Sequence, residues 1–329
     1  MLDPFGRKVS YLRLSVTDRC NFRCSYCMSE KMEFLPRAEI LSIEELIRLS
    51  SAFVELGVNR LRITGGEPLV RQGLMHLFHA MTPYLDQGRL QEVTLTTNGV
   101  LLDQYAAELF DAGVRRINIS LDSLDEQCFR ELTRKGELRD VLAGIEAADR
   151  AGFEIKLNVV ALKGINDQEW VDIVNWACER GHDVTFIESM PMGDIGELRN
   201  DHFMPLDLVQ QTLESSLNLT SSSHQTGGPA RYMSVNGSDS RVGFISPYTH
   251  NFCESCNRVR VSCTGQLYLC LGQDDMVDLR PVVRSSQDNE LLKQAILDGV
   301  AIKPKGHNFD EERLGDGAQV VRFMSHTGG

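Results

Sequence analysis

Short β-rich runs alternate with amphipathic helical runs from residue 11 to about residue 190, and this alternation constrains the fold most strongly. It is typical of βα units that build a parallel sheet. Strands are predicted at 11–16, 60–64, 92–97, 116–121, 154–161 and 183–188, and helices at 42–56, 71–84, 102–112, 141–151 and 167–180. The six units predict an α/β protein with an incomplete, TIM-like (β/α)6 barrel. A doubly wound open sheet is the alternative.

Two of the predicted helices begin with a capping-box signature. Ser42 with Glu45 precedes the first helix, and Asn166 with Glu169 precedes the last. In such a box, the two side chains satisfy backbone N–H groups that the first helical turn leaves free. We therefore expect both pairs to mark helix starts.

The character of the chain changes after about residue 200. One more helix is predicted at 206–216, and 218–240 is rich in Ser, Thr and Gly, with a hairpin connection at 234–239. We predict a partial barrel over residues 1–217. A smaller C-terminal domain is predicted over residues 218–329.

Polar residues occupy every second position of the predicted strands, which places them on one face of each strand. The alternate positions are apolar, as the helix-covered outer face of a parallel sheet requires. The polar face would then line a cavity suited to large polar ligands, unless it points outward instead. The polar set comprises Arg13, Ser15, Thr17, Arg62, Thr64, Thr94, Thr96, Asn98, Asn118, Ser120, Asp122, Lys156 and Asn158.

Cys20, Cys24 and Cys27 form a C-x3-C-x2-C array on one short stretch. Three thiolates can hold three irons of a 4Fe-4S cube and leave the fourth iron free for chemistry. Structural zinc is the competing metal, but it needs a fourth ligand, and no histidine precedes His76. A disulfide reading would require an oxidising compartment, which nothing in the sequence suggests.

A second array, C-x2-C-x13-C, consists of Cys253, Cys256 and Cys270. It suits a second cluster, and a structural zinc closed by Cys263 is the alternative. Arg258 and Arg260 follow directly and would point the same way from an extended segment.

These two arginines could be ordinary solvent-exposed residues. Together with Arg13, Arg62 and Lys156, however, they favour a site for a triphosphate or a similar polyanion, because forked guanidinium groups match phosphate oxygens.

The formal net charge of −12 argues against bulk attraction to nucleic acid or to an anionic membrane. The amino terminus lacks the apolar core of a signal peptide, and no run approaches the roughly 18 apolar residues that a membrane span requires. A cytoplasmic protein with no nucleic-acid or membrane partner is therefore expected.

The first array, with Tyr26 before its last cysteine, and the Gly-Gly-Glu-Pro run at 65–68 resemble the radical S-adenosylmethionine (SAM) enzymes. The whole chain is similar to those radical SAM enzymes that cyclise GTP in molybdenum cofactor biosynthesis. The matching stretches are Leu12–Asp18, Thr64–Pro68, Leu95–Gly99, Ile119–Asp122, Lys156–Asn158, Phe186–Met190, Phe244–Ile245, the second array and the terminal Gly328–Gly329.

The resemblance assigns the first array to the radical-generating cluster and the second to an auxiliary 4Fe-4S cluster that meets the guanine base. It assigns no side chain a catalytic acid or base role. The residues implied around SAM are Tyr26, Gly66, Ser120 and Met190. The residues implied around GTP are Arg13, Arg62, Thr96, Lys156, Arg258, Val259 and Arg260.

In the implied reaction, a 5′-deoxyadenosyl radical takes a hydrogen from ribose C3′, and the carbon radical attacks guanine C8. The cyclised radical is then reduced by one electron, supplied through the second cluster, and takes up a proton. The product is 3′,8-cyclo-7,8-dihydro-GTP. The family further implies a reductant protein, transfer to the next enzyme of the pathway and a homodimer. Its terminal double glycine reaches the active site. One departure is Thr185, which stands where the family usually has Arg.

Two rival functions are open at this stage. A peptide-modifying radical SAM maturase would carry a peptide-recognition module before the barrel. An electron carrier or a zinc-stabilised interaction protein would neither cleave SAM nor contain a cavity lined by Arg13, Arg62 and Lys156.

Overall fold

The structure is a computed structural model that describes residues 1–193, 201–248, 252–307, 309 and 318–328. Its strands are β1 Tyr11–Ser15, β2 Arg60–Thr64, β3 Glu92–Thr97, β4 Arg116–Ser120, β5 Glu154–Ala161, β6 Asp183–Glu188, β7 Leu219–Ser221, β8 Arg231–Val235, β9 Arg241–Ile245, β10 Arg258–Val261, β11 Gln266–Tyr268 and β12 Met276–Asp278. Its α-helices are α1 Ile43–Glu55, α2 Leu74–Asp86, α3 Leu102–Asp111, α4 Glu126–Thr133, α5 Leu138–Ala151, α6 Trp170–Cys178, α7 Leu206–Ser216, α8 Arg280–Ser285, α9 Asn289–Val300 and α10 Met324–Thr327.

All of these strands join one sheet in the order β12-β11-β10-β1-β2-β3-β4-β5-β6-β9-β8-β7. The run from β10 to β9 is parallel, and antiparallel pairs close both ends. Strands β1 to β6 follow one another in chain order, whereas a doubly wound sheet reverses its order near the middle. Because β1 pairs with β10 and β6 with β9, the six-stranded series stays open. The predicted incomplete α/β barrel is confirmed.

The outer face of the sheet is the main hydrophobic core. Leu14, Ile63, Leu95, Ile117 and Ile119 have no solvent exposure, and helices α1 to α6 belong to the connections between successive parallel strands. Parallel sheets are normally covered in this way. The apolar strand residues therefore face the helices, and the polar residues that alternate with them lie on the opposite face of the sheet.

The first capping box is present, but the second prediction is wrong. Ser42 Oγ accepts from the Glu45 amide at 3.2 Å, and the Glu45 carboxylate accepts from the Ser42 amide at 2.7 Å. Helix α6, by contrast, begins at Trp170 without a side-chain cap.

The side chains of the second pair have tertiary partners instead. The Asn166 amide group donates to Asp122 O and Val160 O, and the Glu169 carboxylate accepts from Ser123 Oγ at 2.7 Å. These contacts join the loops after β4 and β5. The side chains of Asn166 and Glu169 therefore stabilise loop packing and do not cap a helix.

The C-terminal half contains more regular structure than the sequence indicated. The hairpin connection is confirmed between the antiparallel strands β8 and β9, and α7 has the predicted bounds. Helices α4, α8, α9 and α10 were not predicted. The division between residues 217 and 218 stays a prediction. Among the described helices, none has the length and apolar character needed to cross a membrane.

Candidate active site

One large cavity lies between the polar face of the sheet and segments that follow β9. Its empty volume is about 2040 Å³, part of which is open to solvent. Residues of both cysteine arrays line this one cavity. Every residue predicted for the site lines it: Arg13, Cys20, Cys24, Tyr26, Cys27, Arg62, Gly66, Thr96, Ser120, Lys156, Met190, Cys253, Cys256, Arg258, Val259, Arg260 and Cys270.

The first cysteine array, here called the N-terminal triad (Cys20, Cys24 and Cys27), lies on the loop after β1. The Cys27 amide donates to Cys24 O at 3.0 Å, and the Phe22 amide donates to Cys20 Sγ at 3.3 Å. The loop is compact, and its three cysteines form no disulfide and are partly exposed.

The Gly-Gly turn after β2 holds this loop in place. The Gly66 amide donates to Thr17 O and the Glu67 amide to Arg19 O, both at 2.8 Å. A Cβ atom on residue 66 would lie only 2.4 Å from Arg19 O, so no side chain fits there. Glycine is therefore required for the close approach of two backbones beside the N-terminal triad.

The thiols of this triad are poor anions without a positive partner. Burial raises the pKa of Cys20 to about 12, and nearby Glu67 and Cys27 act in the same direction. Burial followed by Cys27 and Asp122 raises the pKa of Cys24 well above its usual value. A bound metal deprotonates its thiol ligands outright, so the charge of a metal cluster would supply the positive partner that these thiols lack.

Tyr26 is anchored by a carboxylate that the sequence predictions did not assign. Its hydroxyl donates to Asp122 Oδ2 at 2.6 Å, and the Val160 amide donates to Asp122 Oδ1 at 2.8 Å. Burial raises the pKa of Asp122 to about 6. The contact fixes the cysteine loop to the ends of β4 and β5, close to Ser120.

Glu67 is a second buried carboxylate near the N-terminal triad. It accepts hydrogen bonds from the amides of Leu69 and Asn98 and from Thr97 Oγ1, and burial raises its pKa to about 7. Glu67 and Asp122 both belong to stretches that resemble the radical SAM motifs, so their positions were visible in the sequence although their contacts were not.

The second array, here called the C-terminal triad (Cys253, Cys256 and Cys270), is assembled from two segments. The 3-10 turn Cys253–Ser255 carries the first cysteine, and the Cys256 amide donates to Cys253 O at 3.2 Å. Cys270 follows β11. A Cβ atom on Gly306 would lie 3.3 Å from Cys253 Sγ, so the backbone approaches the triad closely at that glycine.

Cys263, the alternative fourth zinc ligand, lies elsewhere. It sits in the turn after β10 with 1% exposure, and its carbonyl accepts from the Leu41 amide. In the described part of the chain, no three His, Cys, Asp or Glu side chains converge as ligands of a single ion would. The thiolates of a cube each bind a different iron, so they need not meet around one point.

Five cationic side chains line the cavity from neighbouring strands of the sheet and the strand β5. The strand register places Arg13 beside Arg260 on one side and beside Arg62 on the other. Lys156 and Arg258 complete this set, here called the cation row. Like charges on adjacent strands are destabilising. No ion pair joins any of the five to a carboxylate among the described residues.

Burial and the neighbouring cations disfavour the charged forms of the residues in the cation row. Burial, then Arg260 and Arg62, lowers the pKa of Arg13 well below its ordinary value. Burial, then Arg62, Arg116 and Arg13, has the same effect on Lys156. Burial, followed by Arg258, lowers the pKa of Arg260 to about 9. An anionic ligand would relieve this repulsion.

Two buried polar atoms in the cavity wall have unsatisfied hydrogen-bonding capacity. Arg13 Nε and Thr96 Oγ1 have no hydrogen bond within the described structure. Such atoms are costly unless a ligand or water satisfies them. Val259 differs from the other predicted contacts because its side chain belongs to the hydrophobic core, so only its main chain can contact a ligand.

The chain terminus reaches the same cavity wall. Arg260 Nη1 donates to Gly328 O, and a Cβ atom on Gly328 would lie 2.0 Å from Thr64 Cγ2. The first glycine of the pair therefore packs against β2 and β10, while Gly329 lies outside the described residues. Thr185 is fully buried beside Gly243 on β9. Because threonine is uncharged, this position lacks the positive charge that the family usually has there.

Two family models match the chain. The Radical SAM superfamily model covers residues 14–177, and the Molybdenum Cofactor Synthesis C model covers residues 182–309. Together they span the sheet and both cysteine triads.

Solved structures support the fold. Streptococcus suis SuiB bound to S-adenosylmethionine aligns with a TM-score of 0.62 and 13% identity, over 97% of this chain and 77% of that one. SuiB bound to the precursor peptide SuiA aligns with a TM-score of 0.60 and 14% identity, over 91% and 66%. At such low identity these likenesses establish the fold alone.

Curated relatives are similar over the full length. The GTP 3′,8-cyclase of Mesorhizobium japonicum is 56% identical over 329 residues, which is 100% of this chain and 99% of that protein. Those of Sinorhizobium medicae and Paracoccus denitrificans are 55% and 54% identical, over 100% of this chain and 94% and 96% of theirs. The chain therefore belongs to the GTP 3′,8-cyclase family of radical SAM proteins.

Proposed function

We propose that this protein converts GTP to (8S)-3′,8-cyclo-7,8-dihydroguanosine 5′-triphosphate, the first step of molybdenum cofactor biosynthesis. It uses SAM and two 4Fe-4S clusters. The observation that carries the proposal is the meeting of two three-cysteine sets and an unpaired cation row in one cavity. The curated relatives named GTP 3′,8-cyclase support the same activity.

The two triads are proposed to hold the clusters, each with one iron free of protein ligands. When bound, the N-terminal cluster and SAM supply a 5′-deoxyadenosyl radical. Tyr26, Gly66, Ser120 and Met190 are proposed to surround SAM. The Gly66 amide already donates to Thr17 O, so a contact with the amino group of SAM would use the Gly66 carbonyl as acceptor.

The cation row is proposed to bind the triphosphate of GTP and to turn the ribose and base toward the two triads. Guanidinium groups match phosphate oxygens in geometry and charge. Thr96 Oγ1 and the main chain of Val259 would make further polar contacts. The contribution of these residues is to hold the reacting carbons close together and to exclude water.

The test is anaerobic reconstitution with iron and sulfide, followed by incubation with SAM, a reductant and GTP. We expect 5′-deoxyadenosine and a cyclic nucleotide derived from GTP, both measured by mass spectrometry. SAM cleavage without a GTP-derived product would indicate another radical SAM activity, such as peptide modification. Absence of SAM cleavage in the loaded protein would indicate an electron carrier or a zinc-stabilised protein.

We further propose a reductant protein, transfer of the product to the next enzyme of the pathway, a homodimer and a cytoplasmic location. The nine cysteines, none of which forms a disulfide, are consistent with a reducing compartment. We also propose the division into a partial barrel (1–217) and a C-terminal domain (218–329) that carries the auxiliary cluster and the Gly-Gly tail.

A further inference from the structure

Lys303 is a buried lysine whose side chain reaches the C-terminal triad. It follows helix α9, and only 2% of the residue is exposed. Its Nζ lies 3.6 Å from Cys256 Sγ and donates to Leu269 O. Lysine is almost never fully buried without a partner, so its position beside a thiol calls for a reason.

Two arginines hold the other members of the same triad. Arg7 Nη1 donates to Cys253 O at 2.6 Å, and Arg322 Nη2 donates to Cys270 O at 3.2 Å. Each of the three cysteines thus contacts at least one cation, and Cys256 also lies beside Arg258. Arg7 comes from the first ten residues, and the other two come from the segment after helix α9. This set of Arg7, Lys303 and Arg322 is here called the cation shell.

The members of the cation shell differ in how their charge is compensated. Arg7 pairs with Asp3 at 2.5 Å, and Arg322 pairs with Asp274 at 2.7 Å. Lys303 forms no ion pair with a carboxylate in the described ranges. Among the described residues, Lys303 is therefore the member of the shell whose charge no carboxylate compensates. It also contacts a cysteine sulfur, whereas the two arginines contact backbone carbonyls.

This charge already acts on the thiol. Burial by itself would raise the pKa of Cys256, yet Lys303 and then Arg258 bring that pKa below its ordinary value. Cys24 of the N-terminal triad shows the opposite, because burial and neighbouring acidic groups raise its pKa. At Cys270 burial outweighs the same cation and the pKa is raised, so the contrast with the N-terminal triad holds at Cys256 and not for the whole set.

We propose that Lys303 is a positioning residue that hydrogen-bonds the Cys256 sulfur of the C-terminal cluster and holds the reduction potential of that cluster above the value it would otherwise have. A cluster gains negative charge when it is reduced, and a nearby buried cation stabilises that state. Hydrogen bonds to cluster sulfurs act in the same direction. The inference rests on the proposed function, specifically on an iron-sulfur cluster at the C-terminal triad.

The alternative is that Lys303 only tethers the loop, through its bond to Leu269 O. Charge and packing can be separated with three substitutions. Lys303→Met removes both the charge and the donor, Lys303→Gln keeps a donor without the charge, and Lys303→Arg keeps the charge. Lys305→Met is the matched control, because Lys305 lies in the same loop with an exposed side chain.

The measurement is a redox titration followed by electron paramagnetic resonance. It uses the full chain with Cys20, Cys24 and Cys27 replaced by Ser, so that only the C-terminal cluster titrates. We expect the midpoint potential to shift to more negative values in Lys303→Met and Lys303→Gln. Lys303→Arg should stay near the parent, and Lys305→Met should match it.

The outcomes separate the inference from the proposed function. A parent chain that binds no iron-sulfur cluster would show that the proposed ligand set is wrong. A cluster that forms in the parent but has the same midpoint in Lys303→Met and Lys305→Met would overturn the role of Lys303. Equal loss of iron in all three Lys303 variants would also overturn it, since that result reports packing at position 303 and not charge.

Discussion

The two cysteine triads have the same number of ligands but are built in different ways. The N-terminal triad lies on one loop, which the Gly65–Gly66 turn and the Tyr26–Asp122 contact hold against the sheet. The C-terminal triad combines a 3-10 turn with a residue after β11, and the cation shell joins these pieces. One site depends on neighbouring segments of the barrel, and the other depends on both ends of the chain.

The electrostatic surroundings differ as strongly as the construction. Buried carboxylates of Glu67 and Asp122 act on the N-terminal triad, whereas Lys303 and Arg258 act on the C-terminal triad. The cation row lies on β10, β1, β2 and β5 and lines the same cavity as both triads. An anionic ligand is therefore favoured at the cation row, whose charges no carboxylate of the described residues compensates.

The largest expected effect comes from removing one cysteine of each triad in turn. Cys24→Ala should abolish 5′-deoxyadenosine formation, because the radical is proposed to arise at a cluster held by the N-terminal triad. Cys256→Ala should abolish the cyclised product while some SAM cleavage continues. Mass spectrometry of both products, with iron analysis, makes the measurement. Identical behaviour of the two variants would contradict the division of labour between the triads.

Substitution in the cation row should affect GTP and spare SAM. Arg258→Ala removes a charged donor of the kind worth about 1.5–3 kcal/mol, so GTP should bind roughly 10- to 150-fold more weakly. Uncoupled SAM cleavage should persist. Equilibrium binding of GTP and SAM tests this, with Arg150→Ala as a surface control because 71% of that side chain is exposed. Unchanged GTP affinity would show that the phosphates bind elsewhere.

A glycine substitution should damage the N-terminal triad alone. Gly66→Ala places a Cβ atom 2.4 Å from Arg19 O, and overpacking of this kind costs on the order of 1–3 kcal/mol. We expect a lower melting temperature and loss of iron from the N-terminal cluster, with the C-terminal cluster retained. Gly228→Ala is the control, because its nearest neighbour would lie 3.4 Å away. Equal iron content in the two variants would argue against this role of Gly66.

The last prediction concerns the acidic surroundings of the N-terminal triad, and its effect on the activity of the protein at a fixed pH is the smallest. Because burial raises the pKa of Glu67 from 4.5 to about 7, the native state keeps a proton that the unfolded chain has lost between those pH values. The free energy of unfolding should therefore fall as pH rises through this window, by at most about 1.4 kcal/mol per pH unit, and level off above it. Denaturant titrations of the wild type and Glu67→Gln from pH 4.5 to 8 measure the slope, which should be shallower in the variant. Parallel slopes would assign the dependence to other groups.

The sequence by itself determined the α/β class, the six parallel strands and both cysteine triads. The reason is that period-two polarity, glycine turns and cysteine spacing are local features, and each is written within a few residues. It also placed Arg13, Arg62, Lys156, Arg258 and Arg260 on one face, since strand alternation decides which side a residue takes.

Only the tertiary structure decided which of these residues meet and what surrounds them. Asn166 and Glu169 resemble a helix cap in sequence, yet their side chains bind loops that lie elsewhere in the chain. No sequence motif marks the cation shell of Arg7, Lys303 and Arg322. Its contacts form only because the two ends of the chain pack beside the C-terminal triad. The burial of each triad and the charges around it depend on tertiary packing. The spacing of residues along the chain does not determine them.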